Sequence, residues 1–593
     1  MKAIILAAGY GNRMRPLTDN VHKTLLCVCG KTIIEGIIDG LVDNGVCEIV
    51  VVTGYRDAEL RGFLTKTYPA LSLHFVHNER YRETNNIYSM ARAFENTVID
   101  DDIILIESDL IYQGDVIKRI IASPRKNVAL VDKYHSGMDG TVVTVENGVI
   151  SSVIPPHLQD NKFDFSDKYK TLNIYKFSKE FCNSTFKKLL TYYATVINDN
   201  CYYELILGIL IYMQQETVHA EILSGEKWAE VDDPNDLHIA EFVFDESKRL
   251  SILEEGFGGY WNYDILDFAF IRNMYFPNSS ILSEMRNCLP ELLYNYGSRQ
   301  SVLDRKMAWF LLCKQEHVHA LGGASQVFPI LQMRYSGKEV LIPSPTFGEY
   351  TRIFPCAKTY GDAVGFDVGE IEKKGTSCEV IVFVNPNNPT GSALDSRWIE
   401  AYAKRNSEKT IIVDESFIEF SAAGSIIPAC ETGGLENVIV VKSLSKSMGM
   451  PGLRLGYVYS TNADFMAFSG KNIPIWNMNS MAEFTMEIIL KHRKSLAQSF
   501  VDTIKDRQDF ISALSKLSCV DTVYPSQGNF FLVRLRGQKN VAAEIVNKLL
   551  SRYSIFVKDI SHKFNDKYPY LRIAVRASHE NAKFVSALAD VGR

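Results

Sequence analysis

A short β-rich run, a turn and then a helical pattern recur along the first 240 residues, and this alternation limits the fold more than any other feature. Residues 3–8, 48–53, 73–77 and 103–108 have the length and composition of strands buried in a parallel sheet. Between them, residues 31–44 and 57–68 carry helical spacing. Strand and helix in alternation predict an open α/β sheet covered by helices. Near Phe242 the pattern gives way to a polar helix over 245–255, followed by Gly256, Gly258 and Gly259. We therefore expect a first domain over 1–240, a connector over 241–259 and a second domain over 260–593. Residues 236–255 read equally well as the last helix of the first domain. In the second domain, strand-like runs at 339–342, 379–384, 410–413 and 438–441 each stop at a polar cluster. Catalytic groups in open α/β sheets gather at such carboxyl ends.

Composition removes several classes of protein. A chain of 593 residues is too long for one hydrophobic core. With 64 Lys and Arg against 70 Asp and Glu, the net charge of −6 gives no reason to expect nucleic acid or an anionic membrane as partner. Eleven Cys without a CxxC pair fit reduced thiols rather than a disulfide framework. The apolar opening at 3–8 runs at once into Gly9 and Gly11, unlike a signal peptide. The later apolar run at 205–213 falls short of the roughly 20 residues a spanning helix needs. A cytoplasmic protein is expected.

In the first domain, AIILAAGYGNRMRPLT (3–18) feeds a strand into a glycine-rich turn. Gly9 and Gly11 let backbone N–H groups close on phosphate oxygens, and Arg13 can neutralise a departing anion. Lys23, in HKTLL, adds a second cation. This pattern resembles the nucleotidyltransferases that build sugar nucleotides and CDP-alcohols, whose opening is LAAGxGxRxxPLT followed by PKxL. His22 stands here in place of that proline. The likeness continues through NERYRETNNIYSM (78–90), which looks most like the phosphocholine cytidylyltransferases. The resemblance implies a nucleotide site over Leu6, Ala8, Gly9, Gly11, Lys23, Thr84, Asn85 and Glu107. It also implies Mg²⁺ on Asp109, in IESDL, and on Asp232 rather than its neighbour Asp233, in WAEVDDPNDL. Lys133 and Lys168 are candidates for gripping an acceptor's anionic end. An anionic phosphorus oxygen needs no general base to attack, so catalysis reduces to positioning and charge neutralisation. A quaternary ammonium acceptor calls for an aromatic cage, yet only Trp228 of the five Trp lies before residue 240. That disfavours choline and leaves room for a primary amine.

Five motifs in the second domain specify pyridoxal 5′-phosphate. GGASQ (322–326) can seat a phosphate on backbone amides with Ala324 and Ser325. PTFGEY offers Phe347 and Tyr350 as flat surfaces for a heteroaromatic ring, and NPNNPTG offers Asn388 to a phenolate oxygen. IIVDESF ends with Asp414 placed to keep a pyridine nitrogen protonated. SLSKSMGMPGLR supplies Ser443, Lys446 as the anchoring lysine and Arg454. Lys442, inside the strand run, is the rival to Lys446. The order of motifs resembles fold-type I aminotransferases of class I and II, particularly histidinol-phosphate aminotransferase and threonine-phosphate decarboxylase. That resemblance implies that Arg572 binds an amino acid carboxylate. It also implies a homodimer in which Tyr296 reaches the cofactor phosphate of the second copy. Phe417 stands where the aminotransferases usually carry tyrosine, as the decarboxylase branch often does, so transamination and decarboxylation both stay open.

Taken together, the fold class is α/β: a Rossmann-like nucleotidyltransferase sheet followed by a fold-type I unit. The chain resembles phosphonate cytidylyltransferases fused to 2-aminoethylphosphonate transaminase, which implies CTP, small phosphonates and an amino donor as substrates. The competing pair is a phosphocholine or phosphoethanolamine cytidylyltransferase fused to a phospho-amino-acid decarboxylase.

Overall fold

The computed structural model describes every residue except 136, 161–162 and 364. The chain forms two compact units, Met1–Asp264 and Ile265–Arg593.

The first unit is built on a nine-stranded sheet. Its parallel half runs Ser72–His77, Glu48–Thr53, Lys2–Ala7 and Ile103–Glu107. Alternate side chains serve opposite faces. Ile4, Leu6, Val50 and Leu105 pack with Ile87, Met90 and Phe94 of the helix Asn86–Asn96. Ala3, Ile5, Ile49 and Ile104 pack with Ile34, Ile38 and Leu41 of the helix Ile33–Asp43. Burial on both faces is what the near-continuous apolar runs require. Tyr169–Phe177 then joins antiparallel to Ile103–Glu107. Because Lys2–Ala7 has parallel neighbours connected in opposite directions, its carboxyl end is the switch point where ligands bind in open α/β sheets. Residues 241–259, expected as a connector, hold the end of the helix Pro234–Phe244 and the helix Arg249–Gly256 inside this unit.

The second unit carries a seven-stranded sheet. Val438–Ser443, Thr410–Asp414, Val380–Val384 and Val340–Ser344 lie side by side and parallel. Their polar endings therefore share one edge of the sheet. A separate antiparallel sheet includes Phe530–Leu535, Tyr570–Ala574 and Lys558–Asp559. Among the described residues, no helix is long and apolar enough to cross a membrane.

Candidate active sites

In the first unit a cavity of about 770 Å³ opens beside the end of Lys2–Ala7. Leu6, Ala8, Gly9, Gly11, Lys23, Thr84, Asn85 and Glu107 all line it, so the residues expected around a nucleotide are brought together. Gly11 sits at φ 63°, and a Cβ there would lie 3.3 Å from Thr18 Cγ2, whose hydroxyl already donates to Gly11 O. Glycine thus lets the chain turn tightly enough to present its N–H groups. Tyr10 and Tyr81, both lining residues, cluster with Tyr55.

Two carboxylates meet at Lys23. Its Nζ donates to Asp109 Oδ2 at 3.0 Å and to Asp232 Oδ1 at 2.9 Å, while Arg13 pairs with Asp232 Oδ2 at 2.8 Å. The ribbon formed by Trp228–Glu230 and Leu110–Tyr112 produces this meeting, with Val231 N donating to Asp109 O. Asp233 is occupied elsewhere, capping the helix Pro234–Phe244. Burial opposes the charge on Lys23, but Asp109 and Asp232 outweigh it and hold the ammonium above its ordinary value. Asp109 Oδ1 is buried and has no hydrogen-bond partner among the described residues. An unpaired carboxylate oxygen beside a second carboxylate suits a hard cation that takes its remaining ligands from water and phosphate. Asp109 and Asp232 could therefore hold Mg²⁺.

His22, at the position of the proline in the related pattern, is almost fully buried. Its Nδ1 accepts from Thr24 N at 3.2 Å, which leaves Nε2–H to donate to Ala7 O at 3.2 Å. Burial pushes His22 down to about 4, so the ring is neutral and ties the Lys23 turn to the central strand.

Three further carriers of charge line the cavity: Lys170 and Glu204, which no motif singled out, and Glu230, which lies two residues before Asp232 within WAEVDDPNDL. Lys170 pairs with Glu230 at 3.2 Å. Burial pushes Glu230 up to about 7, against the pull of Lys170 and with the help of Asp109 and Asp232. Burial also raises Glu107 well above the carboxylate range, reinforced by Asp109 and Glu204. Lys133 and Lys168, expected to grip the acceptor, are not among the described residues that line this cavity. Lys133 is exposed at the end of Val128–Lys133, and Lys168 pairs with Asp167 and covers the Phe163 ring. Lys170 is buried within the strand Tyr169–Phe177, whereas Lys168 precedes that strand.

In the second unit the strand ends converge on Lys446. Burial pushes its amine down to about 8, with Arg572 and Arg454 adding to the effect. Asn273 N donates to Lys446 O, and Asn273 Nδ2 to Ser447 O, fixing the short helix Leu444–Ser447. The rival Lys442 is buried, donating to Glu415 O and pairing with Glu419 at 2.6 Å. Asp414 is held at both oxygens: Tyr350 donates to Oδ2 at 2.9 Å, and the Ser416 hydroxyl and amide donate to Oδ1. Tyr350 is fully buried with its ring edge-on to Phe328, so it orients Asp414 and offers no stacking face. That corrects its expected role. Phe347, 39% exposed, keeps an open ring face.

The residues fit pyridoxal 5′-phosphate. Gly323 sits at φ 93°, and a Cβ there would lie 2.7 Å from Arg454 Nη2, so this backbone closes around a cationic cup. Arg454 donates to Ser325 Oγ at 3.2 Å, where Ala324 and Ser325 lead into the helix Val327–Tyr335. Ser443, whose amide donates to Ser416 Oγ, stands at the end of its strand. Asn388 accepts from Arg572 Nη1 at 3.1 Å, which leaves its own amide to donate. Phe417 packs edge-on against Phe530 at 4.8 Å in an apolar cluster with Ile271 and Ala574. Tyr296 is 80% exposed and stacked on Trp476 at 4.6 Å.

Comparison with known proteins agrees with this division. Residues 276–590 match the family described as Aminotransferase class I and II, and residues 3–160 match the MobA-like NTP transferase domain. Along 100% of its length the chain is 28% identical to a Streptomyces rubellomurinus protein named CMP-5′-(3-aminopropyl)phosphonate synthase, covering 95% of that protein. About half of it, 51%, is 29% identical to an L-serine phosphate decarboxylase of Sulfurospirillum multivorans, covering 81% of that enzyme. Among solved structures, the L-threonine-O-3-phosphate decarboxylase of Porphyromonas gingivalis superposes with a TM-score of 0.50 at 26% identity, over 55% of this chain and 99% of its own.

Proposed function

The chain belongs to the class I and II aminotransferases, and from that premise, with a nucleotidyltransferase domain ahead of the matched region, we propose that it makes and then activates one small aminophosphonate. The second unit moves an amino group from a donor such as alanine to phosphonoacetaldehyde, forming 2-aminoethylphosphonate. The first unit then catalyses CTP + 2-aminoethylphosphonate → CMP-2-aminoethylphosphonate + pyrophosphate. The observation that carries this reading is the whole-length similarity to a relative named for CMP transfer to an aminoalkylphosphonate. That similarity spans both units and supports a reading in which they act on one kind of substrate.

In the first unit a phosphonate oxygen attacks the α-phosphorus, and the bond to pyrophosphate breaks as the new P–O bond forms. The nucleophile is already anionic, so in-line positioning suffices. The Gly9–Gly11 turn cradles the phosphates, and Arg13 and Lys23 neutralise the leaving group. Asp109 and Asp232 would hold Mg²⁺, which supplies charge neutralisation at the α-phosphate. In the second unit, bound pyridoxal 5′-phosphate supplies an aldehyde and an electron-withdrawing ring. Lys446 anchors it and moves the proton at the carbon that carries nitrogen. Asp414, aligned by Tyr350 and Ser416, would keep the ring nitrogen protonated, and Asn388 and Phe347 would hold the ring. Ala324, Ser325, Ser443 and Arg454 would hold the phosphate. Arg572 grips the donor carboxylate through its planar fork. A homodimer, with Tyr296 serving the second copy's site, and a cytoplasmic location belong to the same proposal.

One specific observation favours a second reading. Phe417 gives no hydroxyl near the ring oxygen, and the second unit is similar to serine and threonine phosphate decarboxylases. Under that reading the second unit releases CO₂ from a phospho-amino acid.

Pyrophosphate release from CTP, measured with 2-aminoethylphosphonate, phosphoethanolamine and phosphocholine, tests the acceptor. The proposal expects 2-aminoethylphosphonate to give the highest kcat/KM. Faster turnover with phosphocholine would overturn it.

A further inference from the structure

The antiparallel sheet of the second unit gathers cations beside the cofactor pocket. Lys558 stands in register with Arg572, and the turn Ser561–Lys563 follows the Lys558 strand. Lys563 Nζ donates to Thr346 O at 2.8 Å, next to Phe347. Arg572 reaches Asn388 and the carbonyl of Ala269, and its buried Nε has no acceptor among the described residues. Among the described residues, no carboxylate forms an ion pair with Lys563 or Arg572. Asp267, the acid that acts on Arg572, spends its Oδ1 on the amides of Ala269 and Phe270. Burial pushes Lys563 down to about 8, with Arg572 and Lys558 adding to it, and no acid offsets them.

Holding Lys563 and Arg572 close together with no carboxylate paired directly to either is unfavourable unless a ligand supplies negative charge. One arginine suffices for a planar, singly charged carboxylate. A tetrahedral phosphonate or phosphate carries close to a second charge and more acceptor oxygens, so it has use for another donor. Lysine, a compact point charge, suits that role.

We propose that Lys563 is the specificity residue for the phosphorus dianion in the second site, donating through Nζ to the phosphonate or phosphate of the small substrate while Arg572 takes the carboxylate of an amino acid. This rests on the reading that the second unit acts on a phosphorus-bearing amine or aldehyde.

The test titrates the cofactor-loaded enzyme with ethylphosphonate and with propionate, following the absorbance of the bound cofactor. Neither probe carries an amine or a carbonyl, and binding to the first unit is silent at that wavelength. Lys563→Met is expected to weaken ethylphosphonate by about tenfold or more, the scale of one charge-assisted hydrogen bond. Propionate should change by less than about twofold, and Lys563→Arg should retain most ethylphosphonate affinity. Equal weakening of both probes, or of neither, overturns the proposal. Loss of the cofactor colour in both variants also overturns it, because Lys563 would then be structural. If ethylphosphonate binding depends on Lys563 while serine phosphate releases CO₂ and phosphonoacetaldehyde gains no nitrogen, the transamination reading fails and the dianion assignment stands.

Discussion

The two pockets meet multiply charged phosphorus compounds with opposite electrostatics. In the first unit Glu107, Asp109, Glu204, Glu230 and Asp232 surround Arg13, Lys23 and Lys170, and the carboxylates take up the charge of the lysines. Among the described residues of the second unit, no carboxylate forms an ion pair with Lys446, Arg454, Lys563 or Arg572, while Asp414 is held by neutral donors. An anion cannot approach the first cluster closely without an intervening cation, whereas the second can take one directly. The proposed mechanism assigns metal-assisted phosphoryl chemistry to the one and direct anion recognition to the other.

The sharpest way to break this contrast is to disable one pocket and assay both. Lys446→Ala should lower the amine reaction by on the order of 10⁴-fold or more, because an anchoring group acts as a unit with its site. CMP transfer should be unchanged in that variant. Asp109→Asn should reverse the pattern, lowering CMP transfer by roughly 10²–10³-fold, the scale of one electrostatic group at a transferring phosphoryl. Chelating divalent cations from the wild type should mimic Asp109→Asn. Steady-state rates for both half-activities on the same preparations decide the matter, and a Lys446→Ala enzyme with its nitrogen transfer intact would sink the assignment.

What could be read from the chain follows the same divide between local and distant. Gly9, Gly11, Arg13 and Lys23 fall within fifteen residues at one strand end, and Asp414 and Lys446 sit at the ends of neighbouring strands. Contiguous motifs of this kind report both element and chemistry. Lys170 and Glu204 reach the first cavity from a strand and a helix far apart in sequence, and nothing local marks them, whereas Glu230 lies in the same segment as Asp232. Lys133 and Lys168 stand outside the lining of that cavity, and their sequence context does not distinguish them from the buried Lys170. Tyr350 misled because its motif gives the ring but not the burial that turns its hydroxyl onto Asp414.

The smallest effect sharpens the contrast through stability. His22 is held near 4 in the folded first unit against roughly 6.5 in an unfolded chain, so the unfolded state binds the extra proton between those values. The stabilisation is complete above pH 6.5 and is lost as pH falls toward 4, by on the order of 3 kcal/mol. Denaturant melts of the first unit's transition across that window, compared with His22→Gln, should show a steeper acid loss in the wild type. Identical profiles would mean that the ring is not buried neutral.

The most direct test of the central claim is ³¹P NMR of a single reaction holding enzyme, Mg²⁺, CTP, alanine and phosphonoacetaldehyde. The coupled resonances of a phosphonate–phosphate anhydride should appear alongside pyrophosphate, and omitting alanine should abolish them. A mixture in which CTP stays intact while free 2-aminoethylphosphonate accumulates, or in which no phosphonate amine forms at all, would contradict the account.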